Sequence, residues 1–210
     1  MIKILIVDDH PVVRRGIKQI LSEEDDISVV DELCDCNDLL KKVHKRKWDI
    51  MILDITLPDR NGLDVLQELK SDYPELPVLM LSVHPEEDYA VRAFKSGANG
   101  YINKKSAPDE LIKAVRKVIK GENYVSQTVA ERLAKAFREG VEKPHHDELS
   151  NREYQVIRMI ASGKPLKQIA GELYLSVKTV RTYRQRIMEK MRFKSNAQLI
   201  HYAIKMHLID

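Results

Sequence analysis

Three carboxylates, one hydroxyl and one lysine stand out because each closes a short apolar run. Asp8 and Asp9 follow ILIV, Asp54 follows IMIL, Ser82 follows VLML, and Lys104 follows GYIN. Carboxylates brought together repel one another unless a hard divalent cation sits among them, and Mg2+ takes a few carboxylates, waters and phosphate oxygens. Asp54 could then act as a nucleophile toward a phosphoryl group. The cation would neutralise the charge on the transferred group, Lys104 would pair with another of its oxygens, and the Ser82 hydroxyl would donate to a third. The competing reading is that strand-end Asp and Ser residues only cap the helices that follow them.

For these groups to meet, the apolar runs must be neighbouring strands. Ile2–Val7, Ile27–Val30, Ile50–Leu53, Val78–Leu81 and Gly100–Ile102 read as strands, and helical spacing recurs over Pro11–Leu21, Asp38–Val43 and near 63–71, 86–96 and 107–119. Five βα units imply a five-stranded parallel sheet covered on both faces, because parallel neighbours need crossover connections. Active groups in such doubly wound sheets lie at the strand C-terminal ends, where Asp8, Asp9, Asp54, Ser82 and Lys104 all fall. Ser106 with Asp109 reads as a capping arrangement, and Pro108 is tolerated in a first helical turn.

A chain of 210 residues accommodates two small domains. Its 43% hydrophobic and 32% charged residues exclude disordered, collagen-like and disulfide-scaffold classes. The start MIKILIVDDH lacks the basic opening and longer apolar stretch of a secretory signal. No uncharged apolar stretch approaches the ~18 residues of a membrane helix, so a cytoplasmic protein with no membrane partner is expected. Cys34 and Cys36 stand too close for an ordinary disulfide and are too few for a zinc site. The net charge of +3 hides an asymmetry: from Glu148 onward there are 12 Lys plus Arg against 5 Asp plus Glu, and before it 23 against 27. A basic module follows an acidic one, which suits a polyanionic partner or, alternatively, a merely solvated surface.

The basic part reads as short helices. Ser126 can cap a segment over 127–138 in which Val129, Leu133, Ala136 and Phe137 recur with helical spacing, a connector helix followed by a polar linker over 139–148. Ser150 and Glu153 form a capping box before Tyr154, Val156, Ile157 and Ile160, and Gly163 closes that helix. Pro165–Leu173 follows, with Ile169, Ala170 and Leu173 on its apolar side. Ser176 caps Val177–Met191, where at about 100° per residue Val180, Tyr183, Ile187 and Met191 share one face and Lys178, Arg181, Thr182 and Gln185 the opposite one. Two short helices joined by a turn fit a helix laid in the major groove of duplex DNA; a solvated helix carries such charges too. Asn196–Met206 offers Leu199, Ile200, Ala203 and Ile204 for packing.

The strings ILIVDDH, ILDITLPDRNG, MLSVH and GYINK resemble, in order and spacing, the receiver domain of two-component response regulators over about residues 1–120. That resemblance implies a flavodoxin-like sheet, the doubly wound order that chemotaxis receivers also have, and phosphorylation of Asp54 by a sensor histidine kinase. It places Asp8, Asp9 and Asp54 on the family's Mg2+-binding acids and Thr56 where a backbone carbonyl completes the metal site. It makes Ser82 the switch hydroxyl, Tyr101 the switch aromatic and Lys104 the family lysine. Tyr101 by itself would read as a plain aromatic on an edge strand. Pro58 and Gly62 match the loop after the phosphoacceptor, where glycine permits a turn that other residues resist. Leu57 stands where methionine is common and Lys105 where many receivers have proline. His10 and His84 follow strand ends beside the acids, neither with a partner at metal-ligand spacing, and are read as tuning access.

LSNREYQVIRMIASGKPLKQIAGELYLSVKTVRTYRQRIMEKM resembles the LuxR-type helix-turn-helix, and its place after a receiver identifies the chain as a member of the NarL/FixJ response regulators. The resemblance implies a small all-α DNA-binding domain over 148–210, a connector over 121–147, and base approach by Lys178, Arg181 and Thr182. Lys167, Thr179 and Arg184 correspond to phosphate contacts, and the last helix to a surface for homodimerisation on DNA. Pro165, Gln168 and Tyr183 replace a hydroxyl residue, a glutamate and a histidine common in the motif. The chain is expected to be a regulator and not an enzyme, its receiver assisting only its own phosphoryl transfer and dephosphorylation. Two other readings stay open. A phosphorylation-independent DNA-binding protein would fail to respond to a phosphoryl analogue, and a metal-dependent phosphatase would turn over a generic phosphate ester.

Overall fold

Runs of Ile, Val, Leu and Met favour strands because such side chains pack well on a pleated surface. The computed structural model describes residues 1–83, 86–126, 129–131, 145–206 and 208–209. It comprises two units, Met1–Arg138 and Glu139–Asp210. In the first, β1 (Ile2–Val7), α1 (Pro11–Ser22), β2 (Ile27–Leu33), α2 (Leu39–Lys45), β3 (Ile50–Asp54), α3 (Gly62–Asp72), β4 (Val78–Ser82), α4 (Glu86–Lys95), β5 (Gly100–Asn103) and α5 (Ala107–Ile119) alternate. All pairings are parallel, in the order β2-β1-β3-β4-β5, the flavodoxin-like order of a doubly wound sheet.

Side chains alternate across a strand, so each buried strand feeds two cores. On one face Ile4, Ile6, Ile52, Leu79 and Leu81 pack with Ile17 and Leu21 of α1 and Leu111, Val115 and Val118 of α5. Helices α2, α3 and α4 supply the buried Leu39, Val43, Leu63, Leu66, Leu69, Tyr89 and Ala93. Register then fixes the functional edge: Val7 stands opposite Leu53, and Asp54 opposite Leu81. Strands β1, β3 and β4 therefore end nearly level, which brings Asp8, Asp54 and Ser82 to one rim.

Two local expectations are revised. Strand β2 runs three residues past Val30, because the polar Asp31 and Glu32 lie on an edge strand and find cations there. Asp31 pairs with Lys42 at 2.6 Å and Glu32 with Lys18 at 3.0 Å. Ser106 precedes α5 but its hydroxyl does not cap the helix; it donates to the Asn103 carbonyl at 3.2 Å and lies 3.2 Å from Glu110 Oε2.

The second unit contains a 3-10 turn (His145–Glu148), α6 (Asn151–Ala161), α7 (Leu166–Glu172), α8 (Val177–Lys190) and α9 (Asn196–Lys205). The Ser150–Glu153 capping box forms, with Ser150 Oγ accepting from Glu153 N and Glu153 Oε2 accepting from Ser150 N at 2.9 Å. Gly163 ends α6 at φ 80°, a conformation that glycine adopts without strain. Val156, Ile157, Ile169, Val180, Ile187, Leu199 and Ala203 are buried and join the four helices. Of the expected connector helix, only 129–131 are described, where Ser126 Oγ accepts from Val129 N at 3.3 Å. The rest of that helix and the linker through 144 lie outside the described residues.

Candidate functional site

At the rim of the sheet the carboxylates do converge. Ligand atoms of Asp8, Asp9, His10 and Asp54 all lie within 4.8 Å of one another. Lys104 reaches into the same pocket, its Nζ 2.6 Å from Asp8 Oδ2 and 2.7 Å from Asp54 Oδ2. Asp8, Asp54 and Ser82 are almost fully buried. Thr56 N donates to Asp54 Oδ1 at 3.2 Å, and Lys104 N donates to the Ser82 carbonyl at 2.7 Å. Tyr101, next to Ile102 on the edge strand β5, is buried at 1% exposure. His84 lies outside the described residues.

The electrostatics follow from this crowding. Burial pushes the Asp54 carboxyl up to about 6; Lys104 opposes that shift and the Asp8 charge adds to it. Burial works against the Lys104 ammonium, yet Asp54 and Asp8 outweigh it and hold its pKa above the ordinary lysine value. Because the folded pKa of Asp54 is raised, ionising it costs more in the folded chain than in the unfolded one. Its stability contribution is therefore full below about pH 4 and lost as pH rises through about 6, a difference of about 3 kcal/mol. Without divalent metal, Asp54→Asn is expected to be more stable than wild type by up to about 3 kcal/mol near ~pH 8, with the gap closing near ~pH 4. Urea unfolding at the two pH values measures this, and an equal gap at both would contradict the buried-charge account.

Hard oxygen donors in this number suit Mg2+, which favours carboxylates over nitrogen. Asp8, Asp9 and Asp54 are the residues that fit it, and the lysine beside them supplies a compensating charge of its own.

The loop after Asp54 explains Gly62 differently from the sequence reading. Its φ is not positive, so no left-handed turn requires glycine. A Cβ there would instead sit 2.0 Å from the Asp54 carbonyl oxygen and 2.8 Å from Ile55 Cα. The start of α3 packs directly on the backbone that carries Asp54, and Asn61 Oδ1 caps it by accepting from Leu63 N at 2.8 Å. Gly62→Ala is expected to cost about 1–3 kcal/mol through overpacking. A melting temperature equal to wild type would refute the close-approach argument.

One neighbour, Arg14, escaped the sequence reading. Arg14 Nη1 donates to the Asp8 carbonyl at 2.6 Å, and its Nε lies 3.5 Å from Glu32. It anchors the acidic turn from one helical turn downstream, where only a basic residue between apolar positions of α1 hinted at it. His10, already read as lying beside the acids, joins the cluster: its Nδ1 is 2.6 Å from Asp9 Oδ1.

In the second unit, α8 buries Val180 and Ile187, with Met191 behind them. Lys178, Arg181, Thr182, Gln185 and Arg186 line its other side, Arg181, Thr182, Gln185 and Lys178 on the face opposite Val180 by helical spacing. Ser176 Oγ caps α8 by accepting from Thr179 N at 3.0 Å and bonds Thr179 Oγ1 at 2.8 Å. Arg184 is held by Asn196 Oδ1 at 2.8 and 3.0 Å, and Thr182 Oγ1 donates to the Lys178 carbonyl. Lys167 lies on α7. Pro165 precedes α7 without a side-chain cap; its carbonyl accepts from Gln168 and Ile169. Tyr183 is only partly buried, so the core face of α8 is narrower than its periodicity suggested. Glu153 and Lys190 pair at 2.6 Å and tie α6 to the far end of α8.

A five-stranded parallel sheet with an acidic rim and a lysine inside it, followed by a helix-turn-helix with an exposed basic face, is the architecture of a response regulator. Residues 4–116 match the model of the response regulator receiver domain, and 147–203 that of bacterial regulatory proteins of the luxR family. The oxygen regulatory protein NreC of Staphylococcus haemolyticus is 36% identical over 218 residues, covering 99% of each chain. The response regulator GacA of Pseudomonas aeruginosa is 36% identical over 212 residues, covering 100% of this chain and 99% of GacA. Among solved structures, RcsB from Salmonella enterica bound to promoter P1flhDC in the presence of phosphomimetic BeF3- superposes with a TM-score of 0.63 at 27% identity, over 96% of this chain and 97% of that one. The response regulator ChrA of a heme-sensing two-component system gives 0.53 at 30% identity, over 99% and 98%. The chain belongs to the NarL/FixJ family of response regulators, DNA-binding regulators of transcription. No helix among the described residues is long and apolar enough to cross a membrane.

Proposed function

We propose that Asp54 accepts a phosphoryl group from a sensor histidine kinase, and that this event controls how the C-terminal module engages DNA. The observation that carries the reading is the meeting of Asp8, Asp9, Asp54 and Lys104 in one pocket. Asp8, Asp9 and Asp54, with the Thr56 carbonyl, would hold Mg2+, which when bound neutralises charge on the incoming phosphoryl group. Asp54 supplies the attacking carboxylate oxygen. Lys104 exchanges its contact with the carboxylates for one with a phosphoryl oxygen, and Ser82 donates to another. Those new contacts exist only in the phosphorylated state, so they bias the β4 and β5 ends, with Tyr101, between two arrangements.

On this reading residues 1–120 are the receiver, 121–147 the connector and 148–210 the DNA-binding domain. Lys178, Arg181 and Thr182 approach base edges, whereas Lys167, Thr179 and Arg184 meet phosphates. Arg184 and Thr179 already have protein partners, which orients them for that task. The protein acts as a homodimer on duplex DNA in the cytoplasm, and its chemistry is confined to its own acyl phosphate. The promoter complex of the related RcsB with a phosphomimetic supports coupling of the two halves. Beryllofluoride with Mg2+ should raise dimer content and duplex affinity together in the full chain. An affinity unaltered by the analogue would favour a phosphorylation-independent regulator.

A further inference from the structure

The acidic pocket contains a donor that an all-oxygen Mg2+ site does not need. His10 Nδ1 lies 2.6 Å from Asp9 Oδ1 and 3.3 Å from Asp8 Oδ1, and it belongs to the same cluster of ligand atoms as Asp54. Its backbone N–H donates to Asp8 Oδ1 at 2.8 Å, and Pro11 starts α1 immediately after it. The backbone under the imidazole is thus held on both sides. The ring itself is 51% exposed, whereas the side chain of Asp8 is buried, so the imidazole stands between the pocket and solvent. His10 and Lys104 engage different oxygens of Asp8: the imidazole faces Oδ1 and the ammonium faces Oδ2.

His10 Nδ1 and Asp9 Oδ1 stand 2.6 Å apart, close enough for one cation to contact both. Adjacent ligands of one tetrahedral metal ion, each bound at about 2.1 Å, stand about 3.4 Å apart. Admitting such a cation asks the pair to separate by about 0.8 Å, a movement open to the half-exposed imidazole. Which cation gains is a question of ligand chemistry. Mg2+ takes oxygen and draws little from imidazole, whereas borderline first-row ions such as Zn2+ bind imidazole and carboxylate together.

We propose that His10 gives the pocket a mixed nitrogen–oxygen ligand set that binds a borderline divalent transition-metal ion, of which Zn2+ is the representative, in competition with Mg2+. The proposal rests on the reading that Asp8, Asp9 and Asp54 form the metal pocket. His10 is then the selectivity residue of that pocket. Its removal lowers affinity for the borderline ion and leaves Mg2+ affinity and the Lys104 contacts in place.

Calorimetric titration of the full chain with Zn2+ and with Mg2+, in wild type, His10→Ala and Asp9→Ala, tests this, with Co2+ absorption reporting nitrogen ligation. Wild type should bind Zn2+, and excess Mg2+ should displace it. His10→Ala should lose roughly 10-fold or more in Zn2+ affinity, at least what a lost supporting partner of a metal ligand costs, with Mg2+ affinity unchanged and the Co2+ spectrum altered. Asp9→Ala should weaken both metals. If His10→Ala binds Zn2+ as wild type does while Asp9→Ala loses both ions, the pocket stands and the role of His10 is overturned. If Asp9→Ala still binds Mg2+ as wild type does, the pocket reading and the proposal fall together. Zn2+ binding that Mg2+ does not displace belongs elsewhere on the chain and also overturns the proposal. Because His10 is half-exposed, His10→Ala should fold normally, which circular dichroism checks.

Discussion

Asp54→Asn is expected to abolish acyl-phosphate labelling by acetyl phosphate and Mg2+, a loss of at least ~100-fold that no second carboxylate rescues. The proposed role rests on position. Asp54 ends the central strand β3, with β1 and β4 on either side, and it receives Lys104 at 2.7 Å and Thr56 N at 3.2 Å. Asp8 shares the lysine but is tethered by His10 N through Oδ1 and by Arg14 through its carbonyl, which suits a ligand better than a nucleophile. Asp9→Ala should also fail to label, since it removes a cation ligand and no core side chain. Lys104→Ala should label yet respond weakly in DNA binding, because its ammonium recognises the charge of the product. Alkali- and hydroxylamine-labile 32P incorporation separates the three, and undiminished labelling of Asp54→Asn would sink the assignment.

Much of this rim was legible in the sequence because each of its side chains follows an apolar run, and level strand ends convert that position into proximity. What escaped was decided by tertiary neighbours. Nothing local shows that Asp31 and Glu32 will continue β2, since their cations come from α1 and α2. The reason for Gly62 lies eight residues upstream in the Asp54 carbonyl and not in its own torsion angles. Ser106 looked like a cap by type and position, but its hydroxyl turns back to Asn103. His10 has no ligand at a helical or loop spacing, so rules of metal-ligand spacing pass it over; a turn leaving a strand folds it onto Asp9. In the second unit the capping box and apolar periodicity were sufficient for α6 and α8, whereas the Arg184–Asn196 contact joins two helices and could not be foreseen from either.

The basic face of α8 yields the other large effect. Lys178 and Arg181 project from the side of α8 whose opposite side is anchored by Val180 and Ile187. A helix held in this way can lie in the major groove, where a good bidentate base contact contributes ~1–3 kcal/mol of discrimination. Arg181→Ala and Lys178→Ala should therefore lose preference at particular positions of a site selected from random duplexes, by about 5- to 150-fold for a wrong base. Lys167→Ala should behave otherwise. It removes a proposed phosphate contact, so all sequences should weaken alike and the slope of log affinity against log salt should shrink by about one unit. Arg184→Ala should resemble Lys167→Ala but add a loss of stability, since its guanidinium also bonds Asn196 at the start of α9. If the protein binds as a dimer, the selected site will contain two related half-sites spaced by the DNA helical repeat. A single half-site, together with unchanged base preference in Lys178→Ala and Arg181→Ala, would reject both the reading helix and its dimeric use.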